Sequence, residues 1–239
     1  MILVFRSLAF HAGFIVGTVL FGLVGLPALA GPPSWSRAVG TFWSRFVLSW
    51  ARWTAGITWR IEGELPPGPV IIAAKHQSAF ETYLFPTICP DAVFVLKREL
   101  LRVPLVGWYL ARSGQIAIDR QAGAKAMRQM LTAARERVTT GLSLIIFPEG
   151  TRVAPGQTRP LHPGVRALYN TLDVPVVPVT LDSGYYWGRN SFFRRPGCIR
   201  IAIRPPIPAG LNRAGFDAAL QAALAELPPP QREGRCVSG

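Results

Sequence analysis

Twelve consecutive residues decide the fold: Val70-Ile71-Ile72-Ala73-Ala74-Lys75-His76-Gln77-Ser78-Ala79-Phe80-Glu81. The first five form an apolar run typical of a buried strand, so the chain delivers a histidine into the turn that follows. On one regular helix, side chains five residues apart would lie roughly 140° apart and could not meet. If the helix begins near Ser78, however, the side chains converge. The carboxylate of Glu81 can then orient the imidazole of His76 as a general base.

A second apolar run, Ser143-Leu144-Ile145-Ile146-Phe147, leads in the same way into Pro148-Glu149-Gly150-Thr151-Arg152. Gly150 allows the backbone to approach a ligand closely. Arg152 can bind phosphate, Thr151 can add a hydroxyl group, and Glu149 can hold an arginine or a substrate hydroxyl in place. The alternative for these charged residues is a structural salt bridge within a turn.

Short β-rich runs alternate with helical stretches over the rest of the chain. The predicted strands are Val70–Ala74, Ala92–Leu96, Gln115–Ile118, Ser143–Phe147, Pro175–Leu181 and Ile199–Arg204. The predicted helices are Glu81–Ile88, Pro104–Arg112, Gly123–Thr139, Pro163–Thr171 and Ala214–Leu227. This alternation predicts an α/β fold with a largely parallel central sheet flanked by helices.

The composition indicates one sizeable α/β domain with an accessory segment, since 49% of the 239 residues are hydrophobic. The formal charge of +13 implies an anionic partner, which can be nucleic acid, the phosphate surface of a membrane, or a phosphorylated substrate. No nucleic-acid-binding module is recognisable, and we expect no nucleic acid partner. His11 and His162 form no ligand set with His76, and no H-E-x-x-H motif or paired cysteines occur, so we expect no metal and no cofactor.

The amino-terminal segment favours a membrane over nucleic acid. Residues 7–30 carry no formal charge, and about twenty such residues can cross a bilayer core. A signal peptide cleaved after Ala28-Leu29-Ala30 is the alternative. Basic residues are more numerous after this run than before it, which predicts that the main domain lies on the cytoplasmic face of the inner (plasma) membrane, anchored by this segment.

Arginine and tryptophan alternate downstream of the apolar run, and both suit the headgroup layer of a membrane. Ser34–Ile57 is therefore predicted to be an interfacial amphipathic helix, with an ordinary helix docked on the domain as the alternative. The stretch Glu62–Pro69 is rich in Gly and Pro and indicates a boundary. We thus predict a membrane-anchoring helical region at 1–61, an α/β domain at 62–227, and a disordered tail at 228–239.

Taken together, these motifs resemble the glycerolipid acyltransferase family, specifically the bacterial 1-acylglycerol-3-phosphate acyltransferases. The family's first motif is a histidine followed after four residues by an aspartate, and its third is the Phe-Pro-Glu-Gly-Thr-Arg block present here at 147–152. The segments Lys97-Arg98-Glu99-Leu100, Gly114–Arg120 and Val174–Val179 are similar to the family's other motifs, in the same order. This chain departs from the pattern in having Glu81 where aspartate is usual, and His162 where relatives often have lysine.

The resemblance implies direct acyl transfer. His76 would take the proton of the free hydroxyl of a lysophosphatidate, and Glu81 would orient His76. The alkoxide would then attack the thioester of acyl-CoA or acyl carrier protein without an acyl-enzyme. Arg152 and Lys97 would bind the acceptor phosphate, Arg120 would assist, and Glu149, Gly150 and Thr151 would complete the substrate site. Backbone N–H groups of the first turn would stabilise the oxyanion.

Two other functions remain open at this level. The acceptor can be another lysolipid, such as lyso-ornithine lipid, which lacks the glycerol phosphate. A membrane-tethered basic protein that binds nucleic acid or anionic lipid without chemistry is the alternative from a different class.

Overall fold

The computed structural model describes residues 1–230, and seven strands in this part of the chain form one mixed sheet. The strands are β1 (Ile57–Glu62), β2 (Ile71–Ala74), β3 (Ala92–Lys97), β4 (Ile116–Ile118), β5 (Ser143–Ile146), β6 (Val176–Leu181) and β7 (Gly197–Ile203). They lie in the order β1-β7-β6-β2-β5-β3-β4. Every neighbouring pair is parallel except β6 with β7, which confirms the predicted largely parallel sheet.

Helices cover both faces of the sheet. They are α1 (Ile2–Val24), α2 (Pro33–Trp50), α3 (Phe80–Ile88), α4 (Val106–Arg112), α5 (Gly123–Thr139), α6 (Pro163–Thr171) and α7 (Arg213–Ala223). The central strand β2 is fully buried and alternates between two cores. Ile72 and Ala74 face the core that includes α1, α2 and α3, whereas Ile71 and Ala73 face the core of α5, α6 and α7.

The sheet order brings three loops together. β2 lies between β5 and β6 and is parallel to both, so the carboxyl ends of these strands meet at one edge. The loops after β2, β5 and β6 begin with Lys75, Phe147 and Asp182, respectively. In open parallel sheets, ligands bind in the crevice outside the carboxyl ends of the strands. The fold therefore predicts the functional site at this edge.

The two amino-terminal helices pack closely against each other. A Cβ atom on Gly13 would lie 2.2 Å from the Trp50 ring, and one on Gly17 would lie 2.2 Å from the Phe46 ring, so both glycines are needed for this approach. Helix α1 is long and apolar enough to cross a membrane, and it exposes large apolar side chains, including Ile2 at 77%. The predicted apolar amino-terminal helix is thus present, packed on one side and exposed on the other.

The predicted helix from Ser34 to Ile57 is wrong at its end. Helix α2 continues into one π-helical turn at Ala51–Ala55, and Gly56, with φ of 69°, ends it in the left-handed conformation. The chain then enters β1, an edge strand that pairs only with β7. The boundary placed after residue 61 therefore falls inside a strand of the sheet.

The carboxyl-terminal predictions differ from the structure in one respect. The last helix, α7, ends at Ala223 and not at Leu227. The tail was predicted at 228–239, and residues 231–239 of it lie outside the described part of the chain.

Candidate active site

His76 lies in the turn after β2, where its ring is fixed from two sides. It stacks on Phe147 with the ring centroids 3.9 Å apart and the planes 14° from parallel. Its Nδ1 atom lies 3.6 Å from Oε2 of Glu81, and among residues 1–230 this buried nitrogen has no other polar partner. The distance exceeds that of a formed hydrogen bond, but catalytic contacts are often long in the absence of substrate. With Nδ1 directed at the acid, Nε2 is the nitrogen that can reach a substrate hydroxyl.

Glu81 is fully buried in the first turn of α3, where four donors hold its two oxygens. The backbone N–H groups of Gln77 and Ser78 donate to it at 3.2 Å, and the Ser78 hydroxyl does so at the same distance. The hydroxyl of Ser183, which follows β6, supplies the fourth donor. The carboxylate is therefore held rigidly beside the imidazole, as an orienting group requires.

Two of these contacts bear on expectations from the sequence. Ser78 has a turn role, since its hydroxyl oxygen also accepts the N–H of Phe80 at 2.9 Å. The N–H groups of His76, Gln77 and Ser78 donate to carboxylates, so these members of the first turn are not available to an oxyanion. The sequence analysis did not identify Ser183 as a site residue. The only sequence feature that indicates it is the position of a hydroxyl residue just after the strand predicted at Pro175–Leu181.

The loop after β5 is tied directly to the turn that carries His76. Oε2 of Glu149 accepts the backbone N–H of His76 at 3.0 Å, and the N–H of Val153 donates to the His76 carbonyl at 2.7 Å. Glu149 thus joins the two motifs. The sequence had suggested that it holds an arginine or a substrate hydroxyl, but among residues 1–230 it forms no ion pair with an arginine. Burial raises the pKa of Glu149, while the hydrogen bond from His76 and the charge of Lys75 oppose the shift.

The same loop turns at Gly150, whose φ of 66° favours glycine. Arg120, just after β4, donates from Nη1 to the Gly150 carbonyl, so it braces this loop from two strands away in the sheet. Thr151 is half-buried. Among the described residues its side chain makes no hydrogen bond.

The predicted phosphate-binding cations differ in their surroundings. Lys97, at the end of β3, pairs with Glu99 at 3.0 Å, and both side chains are more than half exposed. Arg152 is half-buried and lines a cavity of about 250 Å³ together with Tyr83 and Arg194. The structure thus brings Arg152 to a cavity beside the turn of His76 and Glu81, since Ala79 of that turn also lines it. Lys97 instead has its own exposed partner.

A second cavity of about 130 Å³ is mostly apolar. It lies between α1, α2, α3 and α4, and its lining includes Phe21, Trp43 and Phe94. Phe94 stacks on Phe147 at 6.1 Å, and Phe147 in turn stacks on His76. Phe94 and Phe147 therefore form an aromatic contact between the lining of this cavity and the ring of His76.

Metal chemistry has no obvious ligands in this region. Among residues 1–230, no three His, Cys, Asp or Glu side chains form a group that could hold a metal ion. The groups available for chemistry at the sheet edge are an imidazole with a buried acid and a nearby guanidinium. Such a set can remove a proton from an alcohol and bind an anion.

Comparison with known proteins agrees with this chemistry. Residues 56–182 match the family model described as Acyltransferase. The 1-acyl-sn-glycerol-3-phosphate acyltransferase of Pseudomonas aeruginosa is 35% identical over 207 residues, which are 86% of this chain and 79% of that protein. The enzyme of the same name from Limnanthes douglasii is 30% identical over 206 residues, covering 85% and 73% of the two chains.

A solved structure shows the same fold. The crystal structure of the 1-acyl-sn-glycerophosphate (LPA) acyltransferase PlsC from Thermotoga maritima aligns with a TM-score of 0.73 at 20% identity, covering 92% of this chain and 91% of the other. The fold and the site thus define an acyltransferase. The chain belongs to the Acyltransferase family, whose matched region begins just before β1 and ends just after β6.

Proposed function

We propose that this protein transfers a fatty acyl group from acyl-CoA or acyl carrier protein to the sn-2 hydroxyl of 1-acylglycerol-3-phosphate, giving phosphatidate. The names of the relatives support a lysophosphatidate acceptor. The observation that carries the proposal is the contact between Nδ1 of His76 and the buried carboxylate of Glu81, beside a cavity lined by Arg152.

In the proposed reaction, Nε2 of His76 takes the proton of the acceptor hydroxyl as the oxygen attacks the thioester carbonyl. The negative charge of Glu81 stabilises the imidazolium that forms. Collapse of the tetrahedral intermediate breaks the carbon–sulfur bond, and the proton held by His76 passes to the leaving thiolate. No acyl-enzyme is required, and the Ser78 hydroxyl, which might otherwise be considered as a nucleophile, is engaged with Glu81 and Phe80.

The two cavities support separate places for the apolar and the anionic parts of the substrates. The mostly apolar cavity lined by Phe21, Trp43 and Phe94 suits part of an acyl chain entering from the bilayer. The cavity lined by Arg152 suits the acceptor phosphate, which a guanidinium binds with two parallel hydrogen bonds. Arg120 would act on the site through the Gly150 carbonyl. Lys97 would act from the end of β3, where its side chain is more than half exposed and its charge is solvated.

The surface of the amino-terminal region supports attachment to a membrane. Phe5 of α1 is 69% exposed, and Trp35 and Trp53 are 55% and 85% exposed. Apolar and indole side chains of this kind partition into the interfacial layer. We propose that the enzyme works on the cytoplasmic face of the inner membrane, with α1 and α2 as its anchor.

The proposal is tested with purified protein in nanodiscs, radiolabelled lysophosphatidate, and either acyl-CoA or acyl carrier protein as donor. Replacement of the base in His76→Ala is expected to lower kcat by about 10²- to 10⁴-fold. Gln129→Ala is the control, because this side chain is exposed on α5 and should leave kcat unchanged. Near-normal transfer by His76→Ala would refute the base assignment.

The acceptor is tested separately from the base. Lysophosphatidate, lyso-ornithine lipid and other lysolipids are offered to the wild-type protein with the same donor. The expected result is the highest kcat/KM for lysophosphatidate. A preference for lyso-ornithine lipid would refute the proposed acceptor while leaving the acyltransferase chemistry intact.

A further inference from the structure

The cavity beside Arg152 contains a second buried cation that no sequence motif indicates. Arg194, in the loop between β6 and β7, is only 8% exposed and forms part of the cavity wall. None of the described residues that line the cavity is acidic. A cavity with two guanidinium groups and no carboxylate carries a concentrated positive potential and attracts an anion.

The guanidinium of Arg194 is held in place by neutral groups. Its Nη1 donates to the Ser191 carbonyl at 2.6 Å, and its plane lies over the rings of Trp187 and Phe10 at 4.8 and 5.3 Å. Within residues 1–230, its Nε is buried without a hydrogen-bond partner, and no carboxylate lies within ion-pair distance. A buried charge is costly unless it is paired. The surroundings of this buried charge therefore favour an anion as its binding partner.

Neighbouring groups fit the same anion. Burial lowers the pKa of Arg194 to about 10, with Tyr83 opposing the shift and the charge of Arg152 adding to it, so the Arg194 guanidinium stays cationic at neutral pH and repels that of Arg152. Burial also raises the pKa of Tyr83 to about 12, so its hydroxyl stays protonated and can donate a hydrogen bond. An anion bound between these groups would relieve the repulsion and use the donor.

We propose that Arg194 determines specificity for an acceptor that carries a phosphate monoester, which it binds together with Arg152 and the Tyr83 hydroxyl. This inference rests on the proposed function and extends its acceptor site to a residue outside the Phe147–Arg152 loop. The ligand is assigned to the acceptor because Phe10 and Phe14 of the apolar helix α1 line the same cavity. At about 250 Å³, the cavity is smaller than the roughly 300–1,000 Å³ of pockets for drug-sized ligands, and it suits a headgroup better than the nucleotide of coenzyme A.

The test compares two acceptors that differ only in the phosphate group, lysophosphatidate and 1-monoacylglycerol. Arg194→Met keeps the apolar packing on Trp187 and Phe10 but removes the charge. Its ratio of kcat/KM for lysophosphatidate over monoacylglycerol should fall about 10- to 100-fold, as expected for the loss of a charge-assisted hydrogen bond, mainly through a higher KM for lysophosphatidate. The KM for the acyl donor should stay the same. Arg195→Met is the matched control, because its side chain is exposed one residue away, and its ratio should stay within twofold of the wild type.

A second measurement separates this inference from the proposed reaction. Binding of lysophosphatidate to His76→Ala protein in detergent micelles is measured by calorimetry, with and without Arg194→Met. A 10- to 100-fold weaker binding in the double variant supports the phosphate site even if no acyl transfer is found. Conversely, transfer to lysophosphatidate with an unchanged acceptor ratio in Arg194→Met would overturn the site and leave the reaction standing.

A purely structural role for Arg194 gives a different pattern. It would lower kcat/KM for both acceptors equally, together with the unfolding temperature, and this result would also overturn the inference. Should Arg194→Met fail to fold, Tyr83→Phe carries the test, because it removes a single oxygen atom. We expect a 3- to 10-fold fall in the acceptor ratio for Tyr83→Phe, and a ratio equal to that of the wild type would count against the site.

Discussion

The charge of Glu81, and not merely its volume, should control the rate of acyl transfer. Its Oε2 atom lies 3.6 Å from Nδ1 of His76. At that separation and an effective dielectric constant of about 20, the attraction between the carboxylate and an imidazolium is roughly 4.6 kcal/mol. Removing it in Glu81→Gln should therefore lower kcat by up to about 2,000-fold.

The shorter acid should have a smaller effect. Glu81→Asp keeps the charge but withdraws it by the length of one methylene, so the carboxylate oxygen would lie roughly 5 Å from Nδ1 of His76. At that distance the same estimate gives an attraction of about 3.3 kcal/mol. The difference of about 1.3 kcal/mol corresponds to roughly a tenfold loss in kcat. The expected order is thus wild type, then aspartate, then glutamine.

The assay must separate chemistry from folding, because Glu81 is buried and accepts four hydrogen bonds. Each variant is purified in nanodiscs, its folded fraction is measured by thermal unfolding, and kcat is determined at saturating acceptor and donor. Ser183→Ala is the matched control, since it removes one donor to the carboxylate without changing any charge. We expect it to lower stability by about 1–3 kcal/mol and kcat by less than tenfold. The reasoning is refuted if folded Glu81→Gln keeps at least a third of the wild-type kcat, or if the aspartate variant is slower than the glutamine variant.

Two further predictions concern packing and pH. Gly17→Ala should destabilise the protein by about 1–3 kcal/mol and lower its melting temperature, because the new Cβ would lie 2.2 Å from the Phe46 ring. Gly40→Ala is the control and should not lower the melting temperature, because the space around its Cβ is open. Burial raises the pKa of Glu149 above 4.5, so its ionisation costs folded-state stability progressively as pH rises through the folded pKa. Glutamine cannot ionise but can still accept the N–H of His76. The free energy of unfolding of Glu149→Gln, measured by urea denaturation relative to wild type, should therefore increase between pH 4.5 and pH 7. A decrease over this range would contradict the raised pKa of Glu149.

The parallel core of the fold followed from local patterns. The strands before His76 and Glu149 are short apolar runs that end in polar turns, and both form as predicted because burial on two faces demands such runs. Strand β1 was missed because it is an edge strand in which Ile57 is buried but Glu62 is exposed. Its residues Trp59 and Arg60 belong to the Trp/Arg-rich stretch that was predicted to be part of the membrane-anchoring region at 1–61, and only pairing with β7, about 140 residues away, identifies them as a strand.

The geometry of the site could be predicted only for residues that lie in the same loop. The turn from His76 to Glu81 is local, so its geometry could be reasoned from spacing. Ser183 is 102 residues from Glu81, and its contact depends on the order of strands in the sheet. Glu149 was expected to hold an arginine or a substrate hydroxyl, but a carboxylate in that turn can equally accept a backbone N–H, and the sequence gives no means of choosing.

In the proposed arrangement, helix α1 would link attachment to the membrane with recognition of the acceptor. Its Phe10 is buried in the core and lies under the guanidinium of Arg194, while the Ser7 hydroxyl accepts the backbone N–H of the same arginine at 3.0 Å. The opposite side of the helix is exposed, with Phe5 and Ile15 more than 60% accessible. A helix that only tethered the enzyme would not need to contribute a wall to the cavity beside Arg152. Because one face of α1 shapes the proposed headgroup site while the other suits the lipid, an acceptor that stays in the bilayer would reach the arginines without leaving it.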